Sequence, residues 1–218
     1  MPNSPLASLE RELRTLSHSE DAIRVVQTFS ASLGKTKIRL DTFNQTNALV
    51  RRPVDPVEAA AFGFDTDEDK FVLLQGDIVT TDCAYFLGER VTGSPLYAVL
   101  NSSCDLVPNR KRYASLLRIS QLRRSEALAL EKLGVLLKFS RRDSMYLPSL
   151  PRDADDVVAN AIQFDGVCQI ESADLMLATR IASLSLVGWR IFGAITRSVY
   201  ARANPREIEF RARIESEP

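Results

Sequence analysis

Residues 71–120 read FVLLQGDIVTTDCAYFLGERVTGSPLYAVLNSSCDLVPNRKRYASLLRIS, and the texture of this stretch decides the fold class. Its apolar runs, "FVLLQ", "GDIVTTD", "PLYAVLNSS" and "YASLLRIS", are short and are separated by turns that contain glycine or proline. Runs of that length between turn residues predict β-strands. The loop "NSSCDLVPNRKR" (101–112) follows the apolar "PLYAVL" and crowds two serines, a cysteine, an aspartate and three basic residues together. It is the natural place to look for a site.

The flanks have a different period. Leu6, Leu9, Leu13 and Leu16 form one helical stripe, and Ile23, Val26, Phe29 and Leu33 form a second. Ser19 and Asp21 open that second helix and Gly34 closes it. Thr36, Ile38 and Leu40 alternate with charges, as a solvent-facing strand does, and "VEAAAFG" (57–63) reads as a short helix. Beyond residue 120, "SEALALEKLG" (125–134) reads as a helix stopping at Gly134, and "VLLKFS" (135–140) and "SMYLPSL" (144–150) as strands. "DDVVANAIQF" (155–164) and "VCQI" (167–170) read as short strands, the first also open to a helical reading. A long helix is expected from about Ser185 to Arg202, with Leu186, Trp189, Ile191, Phe192, Ile195 and Val199 on its apolar side. The expected fold is α+β. A small, strongly bent antiparallel sheet or SH3-like barrel (71–170) lies between an N-terminal helical extension (1–70) and a C-terminal helical segment (171–218) packed on it.

Charge is balanced, with 28 basic and 28 acidic residues, which argues against a general affinity for nucleic-acid phosphates and leaves room only for a local basic patch. Cys83, Cys104 and Cys168 are widely spaced, and His18 is the only histidine, so neither a zinc site nor a disulfide framework is expected. The start of the chain lacks the apolar stretch of a signal peptide. The most apolar segment, Leu175 to Ile195, carries Arg180 and Arg190, whereas a membrane helix needs roughly 20 nearly uncharged residues. A cytoplasmic protein without membrane contact, cofactor or metal is expected.

Several motifs dissolve on inspection. "LGKT" (33–36) lacks the upstream glycine of a phosphate-binding loop, since Phe29 stands there, and a helix precedes it where a strand belongs. His18 neighbours a helix cap and reads as a surface residue, which weakens every nucleophile–histidine arrangement for Cys83, Ser102 or Cys104. Asp65, Asp67, Glu68 and Asp69 read as a solvated turn, and Asp153, Asp155 and Asp156 as turn or capping chemistry. The strand ends between Gly76 and Arg124 remain. They could gather Glu89, Arg90, Ser102, Cys104, Asp105 and Ser120 on one rim. Such a set either ends strands and satisfies backbone groups, or runs RNA cleavage without metal. In the second case an arginine stabilises charge on the phosphate and a carboxylate or serine moves the 2′-hydroxyl proton.

The order "GDIV", variable loop, "PLYAVLN", "LLRIS" over Gly76 to Ser120 resembles the MazF/PemK-type toxins. The resemblance implies an SH3-like barrel, endoribonuclease activity and a toxin–antitoxin or anti-phage setting. The family's arginine before the proline falls on Ser94 here, with Arg90 as the nearest substitute, and its hydroxyl residue falls on Ser120. On this reading Arg90 meets the phosphate, Asp105 or Glu89 moves protons and Ser120 positions substrate. Ser102, Ser103, Cys104, Arg110, Lys111 and Arg112 line the substrate surface. RNA, an antitoxin or other partner protein, and a second copy of the chain are the expected partners. The reading from a different class is a non-catalytic module whose rim, including "CDLVPNRKR", docks a protein or senses a ligand. Thiol chemistry at Cys104, helped by Arg110, Lys111 and Arg112, is the third.

Overall fold

The computed structural model describes residues 5–55, 73–93, 95–107, 110–201 and 205–216. Among the described residues, seven helices, α1 (Pro5–Thr15), α2 (Glu20–Ser32), α3 (Thr36–Phe43), α4 (Ala129–Leu136), α5 (Ser172–Met176), α6 (Leu186–Tyr200) and α7 (Pro205–Ser216), accompany one large sheet. Its nine strands are β1 (Val50–Arg51), β2 (Ile78–Thr80), β3 (Tyr85–Phe86), β4 (Glu89–Arg90), β5 (Leu96–Val99), β6 (Tyr113–Arg123), β7 (Ser144–Leu147), β8 (Val157–Glu171) and β9 (Thr179–Leu184). The order is β1-β9-β2-β5-β6-β8-β3-β4, with β7 also paired to β8, and every pairing is antiparallel. The class is α+β, and the sheet is open among the described residues, with β1 and β4 at its ends.

Alternation of side chains makes two cores, one on each face. Ile78, Ala98, Leu117 and Ile119 face a helical layer in which α1 and α2 bury Leu9, Leu13, Ala22, Ile23 and Val26, and α6 buries Ile191, Phe192 and Ile195. Val79, Tyr97, Val99, Ala114, Leu116, Cys168 and Ile170 face a smaller second core, closed by Leu106 and by Leu175 of α5. The N-terminal helices, the sheet and α6 therefore share one apolar layer.

The strands read from "GDIV", "PLYAVL", "YASLLRIS" and "SMYL" are present as β2, β5, β6 and β7. Other stretches differ. "KIRL" belongs to α3, which buries Thr42 and Phe43 and leaves Ile38 exposed. The period-2 pattern there found no cross-strand partner. "VLLKFS" completes α4 and its exit turn, because Leu133 and Leu137 bury on one side a helical turn apart. Leu73 to Gln75 form the turn that enters β2. The expected helix at 57–63, the acidic run 65–69, Phe71, Val72 and Ser94 lie outside the described residues. The apolar segment 175–195 divides into the end of α5, β9 and the start of α6. The division falls at Ser185, whose hydroxyl accepts from Gly188 N at 3.1 Å and donates to Ala48 O at 2.8 Å.

Two constraints hold β2 and α6 in place. Asp77, fully buried ahead of β2, pairs with Arg180 of β9 at 2.8 Å. It also accepts from Ser183 Oγ at 2.6 Å and from the backbone N–H of Leu74 at 2.8 Å. Burial raises the carboxyl above its ordinary value, against the pull of Arg180 and these donors. On α6, a Cβ on Gly188 would stand 2.2 Å from the carbonyl oxygen of Leu49.

Removing one partner of a buried, hydrogen-bonded pair strands the other, so Asp77→Ala should destabilise the protein by about 3–5 kcal/mol in denaturant unfolding. Gly188→Ala should destabilise it by about 1–3 kcal/mol despite alanine's better helix propensity, because backbone has to move. Unchanged unfolding midpoints in these variants would contradict the packing described.

Candidate functional site

The loop after β5 is built largely from its own polar groups. Asn101 Oδ1 accepts from the Ser115 N–H at 2.6 Å, tying the loop to β6. Ser103 to Leu106 form a single 3-10 turn whose buried Leu106 anchors it in the second core. Ser103 Oγ accepts from the Gln75 N–H at 2.9 Å, and Arg110 donates to the Cys104 carbonyl at 2.7 Å. Exposed Cys104 has its sulfur 3.1 Å from Ser102 Oγ. Ser102, Ser103, Cys104 and Arg110 are thus brought together, with half-buried Asp105 in the same turn.

Beside this loop lies a bare part of the sheet. Tyr85 of β3 pairs with Gln169 of β8, Gln169 with Ser115 of β6, and Tyr113 with Glu171. Directly opposed residues share a face, as do residues two apart, so these five side chains lie on one side of the sheet. Their neighbours Ala114, Leu116, Cys168 and Ile170 point the other way into the second core. The exposed side is a groove of about 710 Å³ lined by Tyr85, Leu87, Tyr113, Val167, Gln169 and Glu171 among others. Tyr85 is 48% and Tyr113 51% exposed, so both side chains are partly open to solvent. Arg112 lies over the Tyr113 ring at 5.1 Å and pairs with Glu171 at 3.6 Å across solvent. Lys111 and Arg110 extend the basic run at the head of β6.

Glu89 and Arg90 sit exposed on edge strand β4. Arg90 pairs with Tyr85, so Arg90, Tyr85, Gln169 and Ser115 stand in one row across four strands. Three inter-strand spacings make that row about 14 Å long. The Arg90 Nε donates to Asp82 O at 2.6 Å, and its NH2 group is 4.0 Å from Cys83 Sγ. Ser120 is elsewhere. It lies five residues along β6 from Ser115, about 17 Å away. There it accepts from Gln163 Nε2 at 2.6 Å, in a pocket of about 370 Å³ shared with Lys132 and Arg141. The loop after β5 groups Ser102, Ser103, Cys104, Asp105 and Arg110, whereas Glu89 and Arg90 stand at the far edge of the row and Ser120 lies along β6.

Other groups contribute no reacting centre. His18 is half-buried rather than on the surface, edge-on to Trp189 at 4.3 Å, with its Nδ1 lacking a partner over Gly193. Asp153 holds a turn: it accepts from the Leu150 N–H and Asn160 Nδ2, both at 2.6 Å, and from Gln121 at 2.9 Å. Among the described residues, no cluster of His, Cys, Asp and Glu could hold a metal ion, and no helix is long and apolar enough to cross a membrane.

Tyr85 and Tyr113 are the residues that sequence reasoning missed. The adjacent pair Arg112-Tyr113, at the start of a strand, was the available signal. Comparison with protein-family models, with curated proteins and with solved structures returns no match.

Burial, then Arg190 and Arg197, hold His18 below its ordinary value, so the folded state takes up its proton less readily than the unfolded state. Its contribution is complete above the unfolded value near pH 6.5 and declines as pH falls from there toward the lower folded value. Unfolding titrations between pH 7.5 and 5 should show this decline, flattened in His18→Gln. An identical pH slope in the variant would contradict it.

Proposed function

We propose that this chain is a toxin-like, cytoplasmic component of a bacterial conflict system that binds single-stranded RNA across the bare β3–β8–β6 face. One observation carries the reading: two half-exposed tyrosines, Tyr85 and Tyr113, share a sheet face bordered by Arg110, Lys111 and Arg112. Single-stranded nucleic acid is held by aromatic platforms on which bases stack beside cationic groups that follow the backbone. Balanced net charge is compatible with this, because the basic residues needed are local. The resemblance of Gly76–Ser120 to MazF/PemK-type toxins supports RNA as the ligand.

The reading is of binding first. Arg90 is oriented by the Asp82 carbonyl, Ser120 lies off the rim, and the only histidine packs against Trp189. If cleavage accompanies binding, Arg90 would meet the phosphate and Asp105 or Glu89 the proton. The second reading, docking of a partner protein such as an antitoxin, is favoured by Leu87, 88% exposed on the groove, and Leu177, 84% exposed on the α5 exit turn.

The test is fluorescence anisotropy with labelled mixed-sequence RNA of about 12 nucleotides, within the footprint of single-strand binders. Saturable binding is expected, weakened roughly 5- to 150-fold by Tyr85→Ala or Tyr113→Ala, the equivalent of about 1–3 kcal/mol per stacked base. A folded wild-type protein that fails to bind, or variants that bind as well, would refute the proposal. The same samples on a denaturing gel report cleavage.

A further inference from the structure

His18, the chain's only histidine, occupies the link between α1 and α2 and lies edge-on to Trp189 of α6 at 4.3 Å. Its seat exists because residue 193 is glycine: a Cβ there would stand 2.1 Å from Nδ1. Nδ1 is buried against that bare stretch of helix without a hydrogen-bond partner. In the imidazolium both ring nitrogens carry a proton, so Nδ1 would become a buried donor facing no acceptor. The charges acting on the ring are cationic, Arg190 and Arg197, and only the Arg190 backbone favours the protonated form. Of the carboxylates on the two helices His18 joins nearest to it, Glu10 pairs with Arg14, Asp21 with Arg24 and Glu20 with Arg142. None of these, nor Glu12, is among the charges acting on the ring. Arg14 meets the seat through its carbonyl, which accepts from Arg190 at 3.5 Å. Arg190 already lies over the Trp189 ring at 4.8 Å, so the indole face does not stand ready for a second cation.

Trp189 also reaches away from this seat. Its Nε1 donates to Gln75 Oε1 at 3.1 Å, and Gln75 Nε2 donates to Leu100 O at 3.0 Å. The Gln75 backbone N–H donates to Ser103 Oγ at 2.9 Å, at the start of the Ser103–Leu106 turn. One residue ahead of β2 thus ties α6 to the loop after β5 at two points. We infer that His18 is a proton-operated latch on that loop. Seated neutral on α6, it fixes Trp189 and, through Gln75, the Ser103–Leu106 turn; protonated, it leaves the seat and loosens both. The proton binds the unseated state better because only there can both ring N–H groups find acceptors, in water, away from two arginines. The latch goes beyond the RNA reading and does not depend on it, since it acts on the loop whatever the loop meets.

Trp189 is the only tryptophan, so its fluorescence reports the seat. The full chain is titrated from pH 8 to 5, with circular dichroism confirming that it stays folded. The emission should change in a transition with its midpoint below 6.5, missing in His18→Gln. Gly193→Ala puts a Cβ in the seat and should show the low-pH emission already at pH 7.5. Hydrogen exchange read by mass spectrometry at pH 7.5 and 5.5, corrected for intrinsic rates, reports the loop. Peptides covering Gln75 and Ser103–Leu106 should exchange roughly 5-fold faster or more at the lower pH, the low end of common coupling. The same peptides should show no such change in His18→Gln, and the β6–β8 ladder should keep its protection throughout. A fluorescence transition that survives in His18→Gln, or loop exchange indifferent to pH, overturns the latch. Equal loss of protection in the ladder would mean general loosening and overturns it too. If Gly193→Ala fails to fold, the comparison of wild type with His18→Gln decides alone.

Discussion

Arg118 of β6 faces four residues of β8. Leu117 pairs with Val167 and Ile119 with Ile162, so Gln163 to Gly166 have one residue opposite them. A bulge of this kind bends the strand and increases its twist. Here it also reverses the parity of β8. Before it, Ile162 and Phe164 face the helical core; after it, Cys168 and Ile170 face the second core. The even residues thus change sides within one strand, and Gln169 and Glu171 are turned outward beside Tyr113 and Tyr85. The bend allows one long strand to serve two cores and leaves part of one sheet face uncovered. It also frees Arg118 from the flat lattice to lie over Phe86.

Rigid and loosely held parts of the sheet are divided along the same line. β2 is locked to β9 by the Asp77–Arg180 pair, whose carboxylate is fully buried and further held by Ser183 and Leu74. β6 and β8 share a ladder almost their whole length. The β3–β4 hairpin, by contrast, carries exposed Glu89 and Arg90 and meets β8 at one residue pair. Ligand contacts drawn from a lightly held edge against a fixed ladder are a common arrangement, because the edge can adjust while the ladder keeps its register. The exposed ion pairs elsewhere, such as Arg211–Glu207 and Arg123–Asp156, contribute little to stability.

Much of the fold was legible from local pattern. Short apolar runs marked β2, β5, β6 and β7, and leucine stripes marked α1 and α2, because in each case burial repeats at the period of the element. What was not legible depends on distant partners. β8 read as two pieces, since Asp165 and Gly166 look like a break when the bulge that accommodates them cannot be seen. β9 disappeared into one apolar segment because its boundary with α6 is a capping serine bonded to Ala48, far away in sequence. The loop 101–112 could be read as a rim because its polar residues are contiguous. Tyr85 and Tyr113 could not, since only the β8 register places them on a common face, and Ser120 was drawn in by sequence proximity that strand length undoes.

The central claim is that the face carrying Tyr85, Gln169 and Tyr113 is where RNA lies. Photo-crosslinking with RNA containing 4-thiouridine, followed by mass spectrometric mapping of adducts on the intact chain, tests it most directly. The account predicts adducts on Tyr85, Tyr113 or their immediate neighbours in β3, β6 and β8, suppressed by unlabelled RNA. Adducts confined to the helical layer or to α7, or none under conditions where RNA is in excess, would contradict it.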